Sequence, residues 1–322
     1  MCPVWSRLGV GWWARVGAEE DTMPSWNQVN AVQRMQDHLL AHVADPAQDV
    51  AAMCAALGYS ERHARRLFSA LVGITPAEYL RRLRLTAAAQ ALAGGDQTVL
   101  DAALAAGFDS HDGFTRAFVR EFHLTPSEYR RIRPPVTWFI ASPVRHYYSY
   151  LDPNQENTMT TITCTVTIVD HPAAQLLVQR STQASEYWSY CEEMGCEWEG
   201  LLASIPERLC DPALVTLPPS MVLPGTSPIA AGVELPATWS GPVPDGYELV
   251  ELPAQTSAHF VTQTFENEDD YARVIELLDE AVAQYDPAPF GYRVDPSAGV
   301  AYNFGAQAAR GGRQNHPLTA VL

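Results

Sequence analysis

One stretch of this chain occurs twice, as GYSERHARRLF at positions 58–68 and again as GFDSHDGFTRAF at 107–118. A second shared motif follows each copy, GITPAEYLR at 73–81 and LTPSEYRR at 124–131. The pairs that are identical at an offset of fifty positions include Arg66/Arg116, Phe68/Phe118, Thr75/Thr125, Pro76/Pro126, Glu78/Glu128, Tyr79/Tyr129 and Arg81/Arg131. Two copies are too few for a solenoid, so the repeat indicates a duplicated functional unit.

Each copy has the signals of a helix, a turn and a second helix. Gly58 and Gly107 end an Ala-rich segment, and glycine tolerates the left-handed conformation that closes a helix. Ser60 in the first copy, and Asp109 or Ser110 in the second, predict the N-cap of the next helix, because their side-chain oxygens accept hydrogen bonds from free backbone N–H groups. This order is the helix-turn-helix pattern.

Three arginines distinguish the first unit from an ordinary packed helix pair. Arg62, Arg65 and Arg66 fall on one face of the predicted second helix, away from its apolar positions. Arginine can grip phosphate or bind O6 and N7 of guanine in the major groove. A solvated basic face would have the same pattern, but its place within a duplicated unit favours DNA binding.

The segment from about 28 to 133 resembles an AraC-type DNA-binding domain, an all-α fold in which a long linker helix joins two helix-turn-helix units. The resemblance rests on GYS at 58–60, RRLF at 65–68, GITP at 73–76 and the ending TPSEYR at 125–130. It implies that the DNA-binding positions of the family fall on Arg62, Arg65, Arg66, His111, Asp112 and Arg116.

The second unit departs from the pattern of a strong DNA binder. It offers Asp109 and Asp112 where cations or hydrogen-bond donors would favour binding. Carboxylates repel phosphates, although an aspartate can accept a hydrogen bond from cytosine N4. We therefore expect the first unit to give most of the base readout, and the second to position the domain or to tolerate several sequences.

The net charge of −16 is unevenly distributed over the 322 residues, which suffice for two domains. Residues 24–150 contain 13 arginines against 11 acidic residues, whereas residues 151–322 contain 6 against 23. The acidity therefore belongs to the C-terminal half. This negative charge either keeps the protein in solution or creates an electrostatic field that favours cationic ligands.

The six cysteines form no C-x-x-C pair and have no histidine at zinc spacing, so we expect neither a metal nor another cofactor. The sequence has no secretory signal and no long apolar span, which predicts a cytoplasmic protein with reduced thiols and no membrane partner.

Four segments are predicted along the chain. Residues 1–23 are expected to be a non-native or disordered extension, with Met23 as the true start, or alternatively a small partner-binding arm. Residues 24–135 form the DNA-binding domain, 136–157 a packing segment and linker, and 158–322 a second domain.

The second domain has two rounds of strand, helix, strand and strand. Alternation of apolar residues at 161–169 predicts the first strand, one helix is predicted over 184–209, and a last strand over 318–322. IAAGVE at 229–234 and GYELVELPA at 246–254 resemble the GyrI-like ligand-binding domain. The resemblance implies an α+β fold of two β-α-β-β repeats that senses drug-like, often cationic or aromatic, molecules.

The family often places a glutamate just before a tyrosine on a late strand, as a counter-ion for cationic ligands. The corresponding stretch here, GVAYNF at 299–304, has no carboxylate. A cation would be matched by Glu192, Glu197 or Glu234, or the ligand is neutral. Aromatic walls are expected from Trp188, Trp198, Phe260 and Tyr302, each of which also fits an ordinary core position.

Together these patterns predict a multidomain transcription regulator with three partners: double-stranded promoter DNA, a small-molecule effector and RNA polymerase. Two alternatives stay open, a drug-sequestering resistance protein and a GyrI-like hydrolase, each with autoregulatory DNA binding. The hydrolase is disfavoured because no Ser-His-Asp set or metal set is visible, and His171, His259 and His316 are scattered in the sequence.

Overall fold

The computed structural model describes residues 23–95, 97–151, 162–265 and 270–321. The chain divides into two units, Met1–Tyr148 and Ser149–Leu322. The predicted N-terminal extension, apart from its last residue, and the polar linker at 152–157 lie outside the described residues. Among the described helices, none has the length and apolar character needed to cross a bilayer.

Eight helices are described in the N-terminal part of the chain, and the duplicated sequence forms two helix-turn-helix units, α2–α3 and α5–α6. The linker helix α4 connects these units. The helices are α1 (Trp26–Ala41), α2 (Val50–Leu57), α3 (Glu61–Val72), α4 (Pro76–Gly94), α5 (Val99–Ala105), α6 (His111–Phe122), α7 (Pro126–Ile132) and α8 (Val144–Leu151).

The two turns are built alike, as their sequences predict. Gly58 and Gly107 both have φ of 74°, in the left-handed region. Ser60 Oγ accepts a hydrogen bond from the backbone N–H of His63 at 3.3 Å. Ser110, rather than Asp109, caps α6 and accepts from Gly113 N at 3.1 Å. The predicted helix starts and stops are confirmed, and each turn fixes the direction of the helix after it.

The arginines of α4 form ion pairs and hydrogen bonds with neighbouring parts of the domain. Arg82 Nε donates to Glu121 Oε1 on α6 at 2.7 Å, and Arg81 lies 3.5 Å from the same carboxylate. Arg84 donates to the backbone carbonyls of Asp45 at 2.6 Å and Gln48 at 2.8 Å. These cations are therefore matched within the protein.

Two separate hydrophobic clusters support the two helix-turn-helix units. Phe68 is buried in the first, where its ring meets Tyr79 edge-on at 5.3 Å. Phe118 is buried in the second, 4.6 Å from the Phe122 ring. The segment after α7 contributes to both clusters, through Val136 to the second and through the start of α8 to the first.

The C-terminal unit is built on one antiparallel sheet of nine strands, with the order β1-β6-β9-β8-β3-β4-β2-β5 and β7 on β9. Its strands are β1 (Cys164–His171), β2 (Ala174–Arg180), β3 (Ala213–Thr216), β4 (Ile229–Pro236), β5 (Glu248–Leu252), β6 (Gln255–Thr262), β7 (Tyr292–Val294), β8 (Ala301–Gln307) and β9 (Gly311–Ala320). Its helices are α9 (Tyr187–Met194), α10 (Trp198–Ala203) and α11 (Tyr271–Gln284), with short 3₁₀ turns at Pro219–Met221 and Ala288–Phe290.

Two β-α-β-β repeats are visible in this order, which confirms the predicted fold class. The first repeat is β2, α9–α10, β3 and β4, and the second is β6, α11, β8 and β9. Pairing of β3 with β8 joins them. Each repeat also takes one strand from outside its own sequence, because β1 pairs with β6 and β5 pairs with β2. The repeats are therefore interlocked through the sheet.

Two elements differ from the sequence prediction. The single helix predicted over 184–209 is two helices, separated at Gly195, where φ is 82°. The last strand begins at Gly311 rather than 318 and includes Pro317. Its early residues have no alternating apolar pattern, so pairing with β6, β7 and β8 decides the strand.

Candidate DNA-binding surface and effector pocket

The recognition helix of the first unit is α3, and its two faces are clearly divided. Ala64, Phe68 and Leu71 are buried in the first hydrophobic cluster. The exposed face carries the predicted DNA-binding residues, Arg62, Arg65 and Arg66. Helical spacing accounts for this division, because positions three and four apart share a face.

The three arginines of α3 make no ion pair or hydrogen bond with any residue that the structure describes. They differ in this from the arginines of α4, which have carboxylate or carbonyl partners. Three unmatched guanidinium groups on one helix face form a surface suited to phosphates and guanine edges.

The recognition helix of the second unit, α6, presents a mixed surface. His111, Asp112 and Arg116 are all exposed, as the predicted contact positions require. His111 Nδ1 lies 3.8 Å from Asp112, whose side chain is 92% exposed. Because a carboxylate stands beside the imidazole at the start of the helix, this end is less favourable for phosphate than the corresponding end of α3.

A pocket of about 720 Å³ opens on the sheet of the C-terminal unit. Its lining residues come from β1, β4, β6, β8 and β9, and from the segments at 172 and 206–211. On β6 the lining residues alternate with Phe260, which packs in the cluster that includes α11. The lining consists of His171, Pro172, Pro206, Arg208, Leu209, Cys210, Asp211, Glu234, His259, Val261, Tyr302, Phe304, Arg313 and Asn315.

Two of the predicted effector residues, Glu234 and Tyr302, meet in this pocket. Tyr302 is 3% exposed, and its ring stacks on Phe304 with 5.9 Å between centroids and 10° between planes. Burial, and then the neighbouring Glu234 carboxylate, raise the pKa of Tyr302 well above its ordinary value. The carboxylate is close, but no described residue completes a well-oriented hydrogen bond with Tyr302 Oη.

The other carboxylate of the pocket is matched by cations. Asp211 Oδ2 accepts from Arg313 at 2.6 Å and from Arg310 at 3.0 Å. Burial opposes ionisation of Asp211, but these guanidinium groups hold its pKa below the ordinary value. Arg313 also lies over the Phe304 ring, 4.9 Å from its centroid. The negative charge of Asp211 is therefore neutralised by arginines of the protein itself.

Two histidines that are 88 positions apart in sequence meet at the pocket. His171 Nε2 and His259 Nε2 are 2.8 Å apart, and His259 also contacts Ser257 Oγ at 3.2 Å. Burial and the adjacent His171 lower the pKa of His259 to about 4. Ser257 is fully buried, so this arrangement offers no accessible nucleophile. Among the described residues, no three His, Cys, Asp or Glu side chains are placed to hold a metal ion.

The remaining predicted effector residues lie elsewhere. Trp198 and Phe260 are 4% and 0% exposed and belong to hydrophobic clusters. Trp188 is half-buried and Glu192 is exposed, both on α9. None of the four lines the pocket described above. Only tertiary structure separates these positions, because all have the same amphipathic or aromatic character in sequence.

A half-buried carboxyl group that the sequence did not single out lies at Glu199 on α10. Its Oε1 accepts a hydrogen bond from Tyr187 Oη at 2.7 Å. Burial raises the pKa of Glu199, although this hydrogen bond opposes the change. Glutamate in the first turn of a helix normally indicates an exposed position, so the sequence gives no signal for this environment.

Glu199→Gln is expected to raise the Tm of the protein at neutral pH and to leave it unchanged near about pH 4. The folded protein retains the Glu199 proton to a higher pH than the unfolded chain, so stability falls as pH rises above the ordinary carboxyl range. Glutamine keeps the acceptor for Tyr187 and does not titrate. Thermal denaturation at several pH values measures the effect.

The control for this prediction is Glu251→Gln, on the exposed side of β5. This variant should follow the wild-type pH dependence. A Tm difference for Glu199→Gln that stays the same at every pH would contradict the prediction.

The comparisons with known proteins agree with the helical architecture. Residues 53–132 match a family model described as a helix-turn-helix domain. The probable transcription factor PqrA of Proteus vulgaris is 44% identical over 73 residues, which are 23% of this chain and 60% of PqrA. The transcriptional regulator Rob of Salmonella typhimurium is 40% identical over 92 residues, 26% of this chain and 32% of Rob.

A solved structure of a probable AraC family transcriptional regulator from Rhodopseudomonas palustris is 29% identical, with a TM-score of 0.30, and covers 32% of this chain and 95% of that chain. The match covers 60% of the length of PqrA and 32% of the length of Rob, so this chain spans less than two thirds of either relative. The N-terminal part of the chain contains an AraC-type helix-turn-helix domain, which confirms the resemblance of its motifs. A sheet-rich C-terminal unit follows it.

Proposed function

We propose that this protein is a sequence-specific, DNA-binding transcription regulator of the cytoplasm, whose C-terminal unit senses a small molecule. The observation that carries the proposal is the exposed, unmatched set of Arg62, Arg65 and Arg66 on the recognition helix of an AraC-type domain. The names of the relatives, which are a transcription factor and a transcriptional regulator, support it. Promoter DNA and RNA polymerase are the macromolecular partners proposed.

The pocket on the sheet supports the sensing role. Its volume of about 720 Å³ lies within the range of sites that bind small organic ligands. It combines an aromatic wall, Tyr302 and Phe304, with a few polar groups that could orient a ligand. It also belongs to a different unit from the DNA-binding helices, so a ligand there would contact other residues than those proposed to contact DNA.

One chain is expected to protect two patches on the same face of its operator, about 34 Å apart, because α3 and α6 would enter successive major grooves. An operator can be selected from random DNA with the full chain and then mapped by hydroxyl-radical footprinting. Binding to the operator should weaken steeply with salt, since the exposed arginines neutralise phosphates. A single protected patch, or equal affinity for operator and random DNA, would contradict the proposal.

The sequestering alternative predicts a different result in the same assay. A sensor changes its operator affinity when ligand binds, whereas a sequestering protein binds ligand with no change in operator affinity or transcription. Measuring ligand and operator binding on the same preparation therefore separates the two functions. The hydrolase alternative gains no support from the pocket, because Ser257 is buried beneath the histidine pair.

A further inference from the structure

The chain that follows α7 lies across both helix-turn-helix units. We call this segment, residues 136–148, the strap. Val136 at its start is buried in the second hydrophobic cluster. Val144 and Tyr148 near its end are buried in the first cluster. The strap therefore joins the core beneath one unit to the core beneath the other.

Two buried polar side chains bind the strap from equivalent positions of the repeat. Gln36 on α1 and Thr86 on α4 are fifty positions apart, which is the offset of the duplicated motifs. Thr86 Oγ1 accepts a hydrogen bond from Phe139 N at 2.9 Å. Gln36 Oε1 accepts from Val144 N at 2.8 Å, and Gln36 Nε2 donates to the Ser142 carbonyl at 3.1 Å. Because buried polar groups need partners, these two side chains specify where the strap lies.

Two further side chains of α1 hold the end of the strap. Gln33 Oε1 accepts a hydrogen bond from Arg145 N at 3.2 Å, and Asn30 Oδ1 accepts from Arg145 Nε at 2.9 Å. The first backbone N–H groups of a helix have no acceptor within it, so Gln33 and Gln36 supply acceptors at the start of α8. Asn30, Gln33 and Gln36 are spaced by three, so one polar face of α1 holds the strap.

The strap is a second connection between the units, beside the linker helix α4. That helix packs in both clusters, with Leu83 in the first and Leu85 in the second. Long helices are rarely straight, so α4 by itself does not hold two units at one fixed angle. Thr86 holds the strap on one side of α4, and Arg84, about 200° away around the helix, holds the carbonyl of Asp45. Connections on opposite sides of α4 resist bending in both directions.

We propose that the strap fixes the distance and the rotation between the recognition helices α3 and α6, and that Gln36 and Thr86 are the positioning residues that hold it. This inference rests on the proposed binding of α3 and α6 to one operator. A rigid connection between two binding modules favours one separation of their sites, whereas a loose connection tolerates several. The spacing of the two patches on the operator is then a determinant of affinity, together with their bases.

Lengthening the strap between its points of attachment tests the proposal. A Gly-Ser-Gly-Gly insertion between Ile140 and Ala141 lies after the bond of Phe139 to α4 and before the bond of Ser142 to α1. It keeps these attachment points in the chain but removes the fixed distance between them. The matched control is the same insertion at 133/134, which precedes the strap and leaves its length unchanged.

Fluorescence anisotropy of the full chain measures affinity for the selected operator, and for versions with one base pair added or removed between the two patches. One base pair changes their separation by about 3.4 Å and their relative rotation by about 35°. Each change is expected to lower the affinity of the wild type and of the control insertion by about tenfold or more. The strap insertion should bind the unaltered operator about three- to tenfold more weakly, and should lose less than about threefold more on the altered operators.

A point variant tests the same connection without changing the length of the chain. Gln36→Leu removes the side-chain bonds to Ser142 and Val144, and it should reduce the spacing preference in the same direction by a smaller factor. Gln90→Leu is its control, because Gln90 is exposed on α4. A variant that only lowered stability would weaken binding at every spacing by the same factor, so the ratio between spacings separates positioning from loss of the fold.

The inference is overturned if the strap insertion retains the spacing preference of the wild type, if the control insertion reduces that preference equally, or if the wild type accepts all spacings alike. In these three cases the proposed function stands, provided that the wild type binds its operator and protects two patches. A preference that Gln36→Leu leaves unchanged would overturn the role given to Gln36. If the wild type selects no operator or protects a single patch, the inference and the proposed function are both overturned.

Discussion

Replacing Arg66 by alanine is expected to lower affinity for the selected operator by about 5- to 150-fold, which corresponds to about 1–3 kcal/mol, and to relax base preference at one position. Arg66 is exposed on α3 and has no partner among the described residues. Its guanidinium group is therefore available for a bidentate contact with a guanine edge. Fluorescence anisotropy with the operator and its single-base variants measures both the affinity and the preference.

Arg116→Ala is the matched control, because Arg116 occupies the equivalent position of the duplicated unit on α6. The second unit is expected to position the domain or to tolerate several sequences, so the exposed Arg116 is expected to contact a phosphate rather than a base edge. Arg116→Ala should therefore weaken binding to all sequences alike and reduce the salt dependence. If Arg66→Ala also weakened all sequences alike, Arg66 would be a phosphate contact and the proposed base readout would be wrong.

Phe118→Ala is expected to destabilise the second helix-turn-helix unit by about 3–5 kcal/mol, through lost burial and the cavity left behind. Phe118 is 0% exposed and contacts the rings of Phe114, Phe122 and Tyr129. These residues belong to the second hydrophobic cluster, which is separate from the first. Urea denaturation followed by circular dichroism measures the loss of stability. In the footprint, the operator protection attributed to α6 should weaken before the protection attributed to α3.

Phe68→Ala is the companion variant, because it removes the equivalent ring from the first cluster. It should cause a loss of similar size and weaken the footprint patch of α3. Leu100→Ala is the control, since Leu100 is 55% exposed on α5 and should change stability by less than about 0.5 kcal/mol. Equal weakening of both patches by either core variant would show that the two units unfold as one.

The sequence was sufficient to predict the helical part of the fold, because its signals are local. A glycine with positive φ, a capping serine and a face of apolar residues each act within a few positions, as at Gly58, Ser60 and Phe68. The C-terminal strands were less predictable. β9 begins at Gly311 with no apolar alternation, since its strand conformation comes from partners far away in sequence.

The candidate sites also differ in how far the sequence alone predicts them. Sequence alone determined which face of α3 carries Arg62, Arg65 and Arg66, because helical periodicity fixes it. Only the tertiary structure placed Glu234 of β4 beside Tyr302 of β8, although the late strand that holds the tyrosine has no carboxylate. It also placed Glu199 in a half-buried position, and it brought His171 Nε2 within 2.8 Å of His259 Nε2. Strand pairing between distant segments decides these contacts, and no local pattern of residues encodes it.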